Sequence, residues 1–318
     1  MTVETIKAEQ VVNAALGILQ REVVLPSLVW RDAGGDFRGA KDDTISIRLP
    51  AYVNSRKRDL RSGTSRTKDS LHQRKVDVTL TTDLYNDIPI TDEELTLDIA
   101  SFGEDVMNPV LAAIVRGYED EVAALMQGAT YAVELDFDAN DPHKSLVAAR
   151  RALNDANVPA SGRGFVCGSG IEEALLASDQ NRDVSQSGST SALTEAMIGR
   201  RAGFTIVSCN ALEPYEAYAF HRTAYVLSSR APMVPAGAPW GATQSAGGFA
   251  IRTVRVFDPD QVEDRFIADA WCGTNIVQDH GEIDENGKFV PSVEPDLETG
   301  EDLVFVRAVK LEMNPSSA

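Results

Sequence analysis

Cys167 and His221 are the residue types in this 318-residue sequence that best fit covalent chemistry, with a thiol as nucleophile and an imidazole as its base. Cys167, however, ends an apolar run that begins at residue 165, and a cysteine there usually behaves as a small buried hydrophobic side chain. The Gly-Ser-Gly run at residues 168–170 lacks the flanking pattern of a nucleophile elbow. We therefore predict that the protein is not an enzyme and has no catalytic residues. A cytoplasmic cysteine hydrolase is kept as an alternative.

Metal-binding and phosphate-binding patterns are incomplete. The four histidines lie far apart, and none falls at ligand spacing with a cysteine. Residues 136–147 begin like a calcium loop, but Asp141 stands where glycine is needed and Val147 where a bidentate carboxylate is needed. The glycine pairs within residues 162–170 match no nucleotide-binding fingerprint. We predict no metal and no cofactor, and we interpret residues 136–141 as a solvated loop that caps the next helix.

The overall charge disfavours nucleic acid as a sequence-specific partner. Asp and Glu number 48 against 30 Lys and Arg, a formal charge of -18 that repels phosphate backbones. No run of about eighteen apolar residues is present, so no membrane partner is expected. The amphipathic N-terminus does not resemble a signal peptide, and three scattered cysteines are typical of a protein made in a reducing cytoplasm.

One segment reverses the overall charge. Between Arg48 and Lys75, nine basic residues stand against two acidic ones, which gives +7. We call this segment the basic loop and take six of its residues as candidate contacts with another subunit: Arg56, Lys57, Arg58, Arg61, Arg66 and Lys68. Carboxylates follow directly, and we call these the acidic block: Asp83, Asp87, Asp92, Glu93 and Glu94.

The basic loop has three interpretations. It could be a nucleic-acid arm, a merely solvated loop, or a segment that docks on the acidic block of a neighbouring copy. Tyr52 is the aromatic residue near it that could stack on bases, and the whole chain is acidic, so we favour docking. Exposed ion pairs contribute at most about 1 kcal/mol each. They would therefore set the orientation and register of the partner and add little to cohesion.

Hydrophobic periodicity predicts the elements that position these segments. Residues 6–20 have a helical stripe, and residues 23–30 are expected to be extended around Pro26. Alternating residues at 44–49 and 76–80 flank the basic loop and predict a projecting β-hairpin. Asn108 and Pro109 open a long amphipathic helix that ends at Gly128.

The second half of the chain predicts an α/β unit and then β-structure. Helices are predicted at 142–156, at 171–177 and before Gly203, with strands at 165–167, 204–208, 217–220 and 224–228. Later strands are predicted at 249–257, 265–271 and 303–311. Asn286-Gly287 predicts a hairpin turn.

Taken in order, these parts resemble the major capsid (coat) proteins of tailed bacteriophages, which have the Hong Kong 97 (HK97-like) capsid fold. The most distinctive stretch is residues 85–95 (YNDIPITDEEL), with support from 199–204 (GRRAGF) and 219–221 (AFH). These stretches are similar to coat proteins of phages that infect actinobacteria.

The resemblance implies an α+β fold with five parts. These are an N-terminal arm (1–40), an extended β-hairpin loop (41–80), a peripheral domain with a long spine helix (81–140), an axial α/β domain (141–248) and a return to the peripheral domain (249–318). Residues 275–302 look like a small insertion. That insertion is either a solvated loop or a lobe that faces neighbours or decoration proteins.

The resemblance also implies a function. The chain would self-assemble into hexamers and pentamers of an icosahedral phage head that encloses double-stranded DNA. The implied partners are further copies of the chain, a separate scaffolding protein, a portal at one vertex and a decoration protein. A separate scaffolding protein, or assembly without one, is expected because the chain has no room for a large helical pro-region. The implied location is the virion, after assembly in the host cytoplasm. An encapsulin-like compartment shell, which shares the fold, is the structural alternative.

Overall fold

The protein is described from a computed structural model. It covers residues 24–31, 44–50, 74–91, 106–178, 199–246, 249–261, 263–292 and 302–314, with eight single positions between 53 and 68. The helix predicted at 6–20 and the one predicted before Gly203 lie outside these residues. Within the part of the chain that is described, no helix is long and apolar enough to cross a bilayer.

Four helices and sixteen strands make up the described fold. The helices are α1 (Leu25–Leu28), α2 (Asn108–Gly128), α3 (Pro142–Asp155) and α4 (Ser169–Ala177). The first eight strands are β1 (Thr44–Leu49), β2 (Arg74–Thr79), β3 (Thr82–Thr91), β4 (Glu134–Asp136), β5 (Arg163–Cys167), β6 (Arg200–Arg201), β7 (Phe204–Ser208) and β8 (Glu216–His221). The others are β9 (Tyr225–Arg230), β10 (Trp240–Ala246), β11 (Phe249–Asp258), β12 (Glu263–Ile276), β13 (Asp279–Ile283), β14 (Phe289–Pro291), β15 (Leu303–Val304) and β16 (Ala308–Glu312).

One compact unit comprises Met1–Ile45, Val78–Gly128 and Tyr225–Asn275. Its sheet has the order β10-β11-β12-β3, and β9 also pairs with β12. The long helix α2 packs against this sheet. A side chain at Gly117 would meet Leu84 of β3 at 3.1 Å, so the missing Cβ lets the helix approach the strand closely.

Helix α2 buries one face, as the sequence predicted. Its buried residues recur at three- and four-residue steps: Val110, Leu111, Ile114, Val115, Tyr118, Val122, Ala123 and Met126. The hydroxyl of Tyr118 contacts Ser229 Oγ at 2.5 Å and donates to the carbonyl of Ala250 at 3.2 Å. Burial raises the pKa of Tyr118, so its hydroxyl remains protonated.

The segment before β1 is anchored by a short helix, and the prediction of an extended stretch at 23–30 was wrong. Pro26 lies in the first turn of α1, where its fixed φ favours a helix and its missing N–H costs nothing. The backbone N–H of Val24 donates to Glu119 of α2 at 3.1 Å. Trp30 N–H then donates to Tyr225 O at 3.0 Å, which ties the segment to β9.

The second compact unit comprises Ser46–Asp77, Ala129–Ala224 and Ile276–Ala318. Its six-stranded sheet has the order β4-β16-β8-β5-β7-β6, and a three-stranded sheet has the order β14-β13-β15. Helices α3 and α4 pack against the larger sheet through Leu146, Leu153 and Ile171, which lie in one core cluster with Phe165 and Leu311. The Asn286-Gly287 hairpin is present, with Ile283 paired to Phe289.

The boundaries of these units differ from the predicted domain boundaries in three places. Residues 129–140 were assigned to the peripheral domain, but they lie in the unit with the six-stranded sheet. Residues 225–248 were assigned to the axial domain, but they lie in the unit that contains α2. Residues 276–318 lie in the other unit because β16 pairs with β8 and β4 there. The single strand predicted at 303–311 is two strands, β15 and β16, in different sheets.

Candidate assembly surfaces

The geometry of Cys167 and His221 rules them out as nucleophile and base. In the antiparallel pair of β5 and β8, Cys167 faces Ala217 and Arg163 faces His221. The two side chains are therefore four positions apart along the strands, about 13 Å at roughly 3.3 Å per residue. Cys167 is 0% exposed, and burial raises the pKa of its thiol to about 12. A protonated thiol without a base is a packing residue.

The loop that begins like a calcium site is a helix cap, as predicted. Asp138 Oδ1 accepts from the N–H of Asn140 at 3.0 Å. Asp141 Oδ1 accepts from the N–H of Lys144 at 3.1 Å and caps α3. Among the described residues, no group of three or more His, Cys, Asp or Glu side chains is placed to hold a metal.

Hydrogen bonds across the β1–β2 hairpin hold the base of the basic loop. The hydroxyls of Thr44 and Thr79 lie 2.8 Å apart. Asp77 accepts from the hydroxyl of Ser46 and, at 2.9 Å, from the ammonium of Lys75. These two hydrogen bonds, with that of Ser46 the larger influence, lower the pKa of Asp77. The base of the hairpin is thus held together by polar side chains.

The described candidate contacts of the basic loop are exposed. Lys57, Arg58, Arg61 and Lys68 all face solvent, and the apolar side chain of Leu60 is 94% exposed. Arg56 and Arg66 lie outside the described residues. An exposed leucine among cations was not part of the sequence prediction. It gives the loop an apolar group as well as charge.

The acidic block begins on β3, a strand that the sequence analysis did not predict. Asp83 and Asp87 alternate with core-facing residues, so they lie on the outer face of the sheet with Tyr85. Tyr85 is 70% exposed. Asp92, Glu93 and Glu94 lie outside the described residues.

Asp87 has a partner within its own chain. Its Oδ1 accepts from Nε of Arg265 at 3.2 Å, and its Oδ2 accepts from a second guanidinium nitrogen of the same arginine. This hydrogen bonding is the main cause of the raised pKa of Arg265. The two residues are 178 positions apart, so no local pattern could have revealed the pair.

Asp83 is in a less favourable environment than Asp87. Burial raises the pKa of Asp83, the neighbouring carboxylate of Asp269 raises it further, and the cation of Arg252 compensates in part. Arg252 is itself bound to Asp269 by two hydrogen bonds. A positive group brought to Asp83 from outside would therefore relieve an electrostatic cost.

A depression with both polar and apolar lining lies beside Asp83. Its volume is about 230 Å³, and its lining is formed by residues 80–83 and Trp271. Trp271 stands directly opposite Asp83 in the β3–β12 register and is 39% exposed. The outer face of the sheet thus offers a carboxylate, an indole and a cavity of side-chain size within a few residues.

Two comparisons of the sequence with known proteins found no match. No protein-family model matches the sequence. No curated protein matches it either.

Solved structures match over nearly the whole chain. A structure of Mycobacterium phage Che8 has a TM-score of 0.63 at 18% identity, with 91% of this chain and 91% of that chain covered. The capsid of the cyanophage P-SCSP1u has a TM-score of 0.60 at 10% identity, covering 92% of this chain and 88% of that chain. The mature capsid of bacteriophage PhiM1 has a TM-score of 0.55 at 11% identity, with the same coverages of 92% and 88%.

The chain has the Hong Kong 97-like capsid fold. For the proposal below, the unit with the six-stranded sheet is named the axial domain, and the unit that contains α2 is named the peripheral domain. A virus-like particle from Pyrococcus furiosus matches the same fold with a TM-score of 0.52 at 12% identity, over 96% of this chain and 98% of that chain.

Proposed function

We propose that the chain is the major capsid protein of a tailed bacteriophage, a structural subunit of an icosahedral head that encloses double-stranded DNA. The observation that carries this proposal is the match to Mycobacterium phage Che8 across 91% of both chains. In this proposal, copies of the chain form hexamers and pentamers with their axial domains at the centre of each ring. The protein is located in the virion after assembly in the host cytoplasm.

The proposed link between neighbouring copies is the basic loop of one copy on the acidic block of the next. Asp83 supports this arrangement because an incoming cation would offset the repulsion from Asp269. Asp87 contributes less because Arg265 already neutralises it. The four described candidate contacts of the basic loop would therefore bind mainly to Asp83 and to the acidic block beyond β3.

An apolar contact would supply more of the affinity than the charges. We infer that Leu60 of one copy fills the depression beside Trp271 of the next. Full burial of a leucine stabilises a complex by about 1.5–3 kcal/mol, whereas an exposed ion pair contributes at most about 1 kcal/mol. In this arrangement Leu60 anchors the loop and the charges set its register. Many such modest contacts add up because each subunit has several neighbours.

Further partners follow from the same proposal. A separate scaffolding protein would set the shell curvature, a portal would occupy one vertex, and a decoration protein could bind the outer surface. The acidic surface of the chain would let packaged DNA slide without sequence-specific binding.

The test is direct observation of particles. The full chain is expressed alone and together with a candidate scaffolding protein. The products are examined by light scattering and negative-stain microscopy. Multi-megadalton shells from the expressed chain support the proposal. Double-stranded DNA inside shells purified from phage-infected cells would support the enclosure of a genome. A discrete single-chain species under both conditions contradicts the proposal. Shells that contain cargo enzymes and no genome would instead establish an encapsulin-like compartment.

A further inference from the structure

The six-stranded sheet of the axial domain ends in two strands of opposite charge. One edge is β6, which consists of Arg200 and Arg201. The other edge is β4, which consists of Glu134, Leu135 and Asp136. Five inter-strand spacings of about 4.8 Å place these edges about 24 Å apart, on opposite sides of the sheet.

The basic edge is held in place by a tight turn. Arg201 pairs with Phe204 across the two-residue turn Ala202-Gly203, whose φ angles are 47° and 87°. Both angles lie in the left-handed region, which matches the twist of a hairpin. Arg150 of α3 donates to the carbonyl of Ala202 at 2.6 Å and secures the turn. Arg200 is exposed on this fixed edge.

The acidic edge also has a fixed position and carries exposed charge. β4 runs parallel to β16, with Glu134 beside Lys310 and Asp136 beside Glu312. Glu134 and Asp136 are exposed, whereas Leu135 packs against the hydrophobic core. The ammonium of Lys310 does not neutralise β4, because it is bound to Glu312 at 2.5 Å and Glu216 at 3.2 Å.

Three of the edge charges, those of Arg200, Glu134 and Asp136, are exposed to another molecule. Within the described part of the chain, no ion pair within 4.0 Å engages Arg200, Glu134 or Asp136. Edge strands commonly carry charge to prevent uncontrolled pairing, and edges of a single sign would achieve that. Edges of opposite charge also select which edge can pair with which. They repel β6 from β6 and β4 from β4, but they attract β6 to β4.

We propose that the β6 edge of one axial domain docks on the β4 edge of a second copy of this chain. Such a contact is head-to-tail, and head-to-tail contacts close into rings when the rotation between copies permits. The inference rests on the proposed shell function and assigns the ring contact of that shell to named charges. It is separate from the proposed contact of the basic loop, whose acidic partner surface lies on β3 in the unit that contains α2.

Paired charge reversals test the contact. R200E/R201E and E134K/D136K are each expected to lower the yield of rings and shells on the order of tenfold or more, because like charges would then face each other. The quadruple variant restores opposite charges and is expected to recover assembly. Matched controls change the same number of exposed charges on other elements: R116E/K288E, and E173K/E213K. Circular dichroism confirms that each variant is folded.

Mixing the two defective variants gives a sharper result. Copies of R200E/R201E and E134K/D136K attract each other at both edges, but each repels its own kind. Strict alternation satisfies every contact in a ring with an even number of members and fails in a ring of five. The mixture is therefore expected to recover hexamers without pentamers, seen by mass photometry and class averages.

Three results would overturn the inference. These are assembly of either reversal variant at the wild-type level, failure of the folded quadruple variant to recover, and failure of the mixture to form even rings. Failure of the proposed function looks different, because the wild-type chain itself would then form no particles.

Discussion

Arg265 of β12 binds Asp87 of β3 through two hydrogen bonds, one of them 3.2 Å long, across 178 residues of sequence. The pair joins the long central strand of the peripheral sheet to its edge strand on the outer face. It also decides which carboxylate of the acidic block remains available to a neighbouring copy. Asp87 is neutralised within the chain, whereas Asp83 is not.

The Asp87–Arg265 pair is expected to stabilise the edge strand. Arg265→Ala and Asp87→Asn should each lower the melting temperature, and the double variant should lower it by less than the sum. Differential scanning calorimetry of all four proteins measures this coupling. Strictly additive effects would show that the two side chains do not interact in solution.

Arg252 is expected to matter more for stability because its partner is buried. Asp269 is 5% exposed, and Arg252 binds it through two hydrogen bonds. Arg252→Ala leaves a buried carboxylate without its cation and should cost about 3 kcal/mol in urea denaturation. Lys144→Ala, on the exposed face of α3, is the control and should change stability by less than about 0.5 kcal/mol. Equal effects from the two substitutions would contradict this account.

Asp83 and Asp77 are expected to affect the pH dependence of stability in opposite directions. The raised pKa of Asp83 means that its contribution to stability is present below its unfolded pKa, near 3.9, and is lost as the pH rises through its folded pKa. Asp83→Asn should therefore make the free subunit more stable than the wild type at pH 7, with the gain disappearing at acidic pH.

Asp77 supplies the matched comparison. Its lowered pKa gives stability that is present above its unfolded pKa and is lost as the pH falls through its folded pKa. Asp77→Asn should therefore reduce stability at pH 7. Denaturant titrations at several pH values measure both effects. A change of stability in the same direction for both variants at pH 7 would contradict the environment described for one of the two carboxylates.

The hydroxyl of Tyr118 is expected to make a modest contribution to stability. Tyr118→Phe removes its contacts with Ser229 and with the carbonyl of Ala250. Ser229 still accepts from the N–H of Ala250 at 3.0 Å, so no buried group is left entirely without a partner. The expected cost is about 1 kcal/mol. Tyr118→Ala also removes the buried ring and should cost about 3–5 kcal/mol by the same denaturation assay.

Substitutions in the basic loop are expected to show that Leu60 supplies affinity for the neighbouring copy, whereas the cations set its register. Leu60→Ala should lower the yield of shells at every salt concentration, because a buried apolar contact is insensitive to screening. Charge reversal at Arg56, Lys57 and Arg58 should lower the yield most at low salt, where repulsion from the acidic block is strongest. Light scattering across a salt series measures both variants. Unchanged yield and salt sensitivity after the charge reversal would mean that the loop does not meet the acidic block.

Local chemistry along the sequence was enough to predict many elements. The three- and four-residue steps of apolar side chains defined α2, and Asn286-Gly287 predicted the β13–β14 hairpin. Both signals lie within about twenty residues, because helix periodicity and turn conformation are properties of neighbouring positions. The resemblance carried by residues 85–95 and 199–204 then led to the capsid fold that the structural matches support.

Only the tertiary structure decided how distant segments combine. β16 was predicted in the peripheral domain but pairs with β8 in the other sheet. Arg265 binds Asp87, and β6 and β4 form opposite edges of one sheet. The pattern of a strand indicates which face is buried but not which strand lies beside it, because pairing joins segments that are far apart in the sequence. The sequence therefore determined the charges of Arg200, Glu134 and Asp136. Their opposition across the sheet, on which the proposed ring contact depends, arose only from the fold.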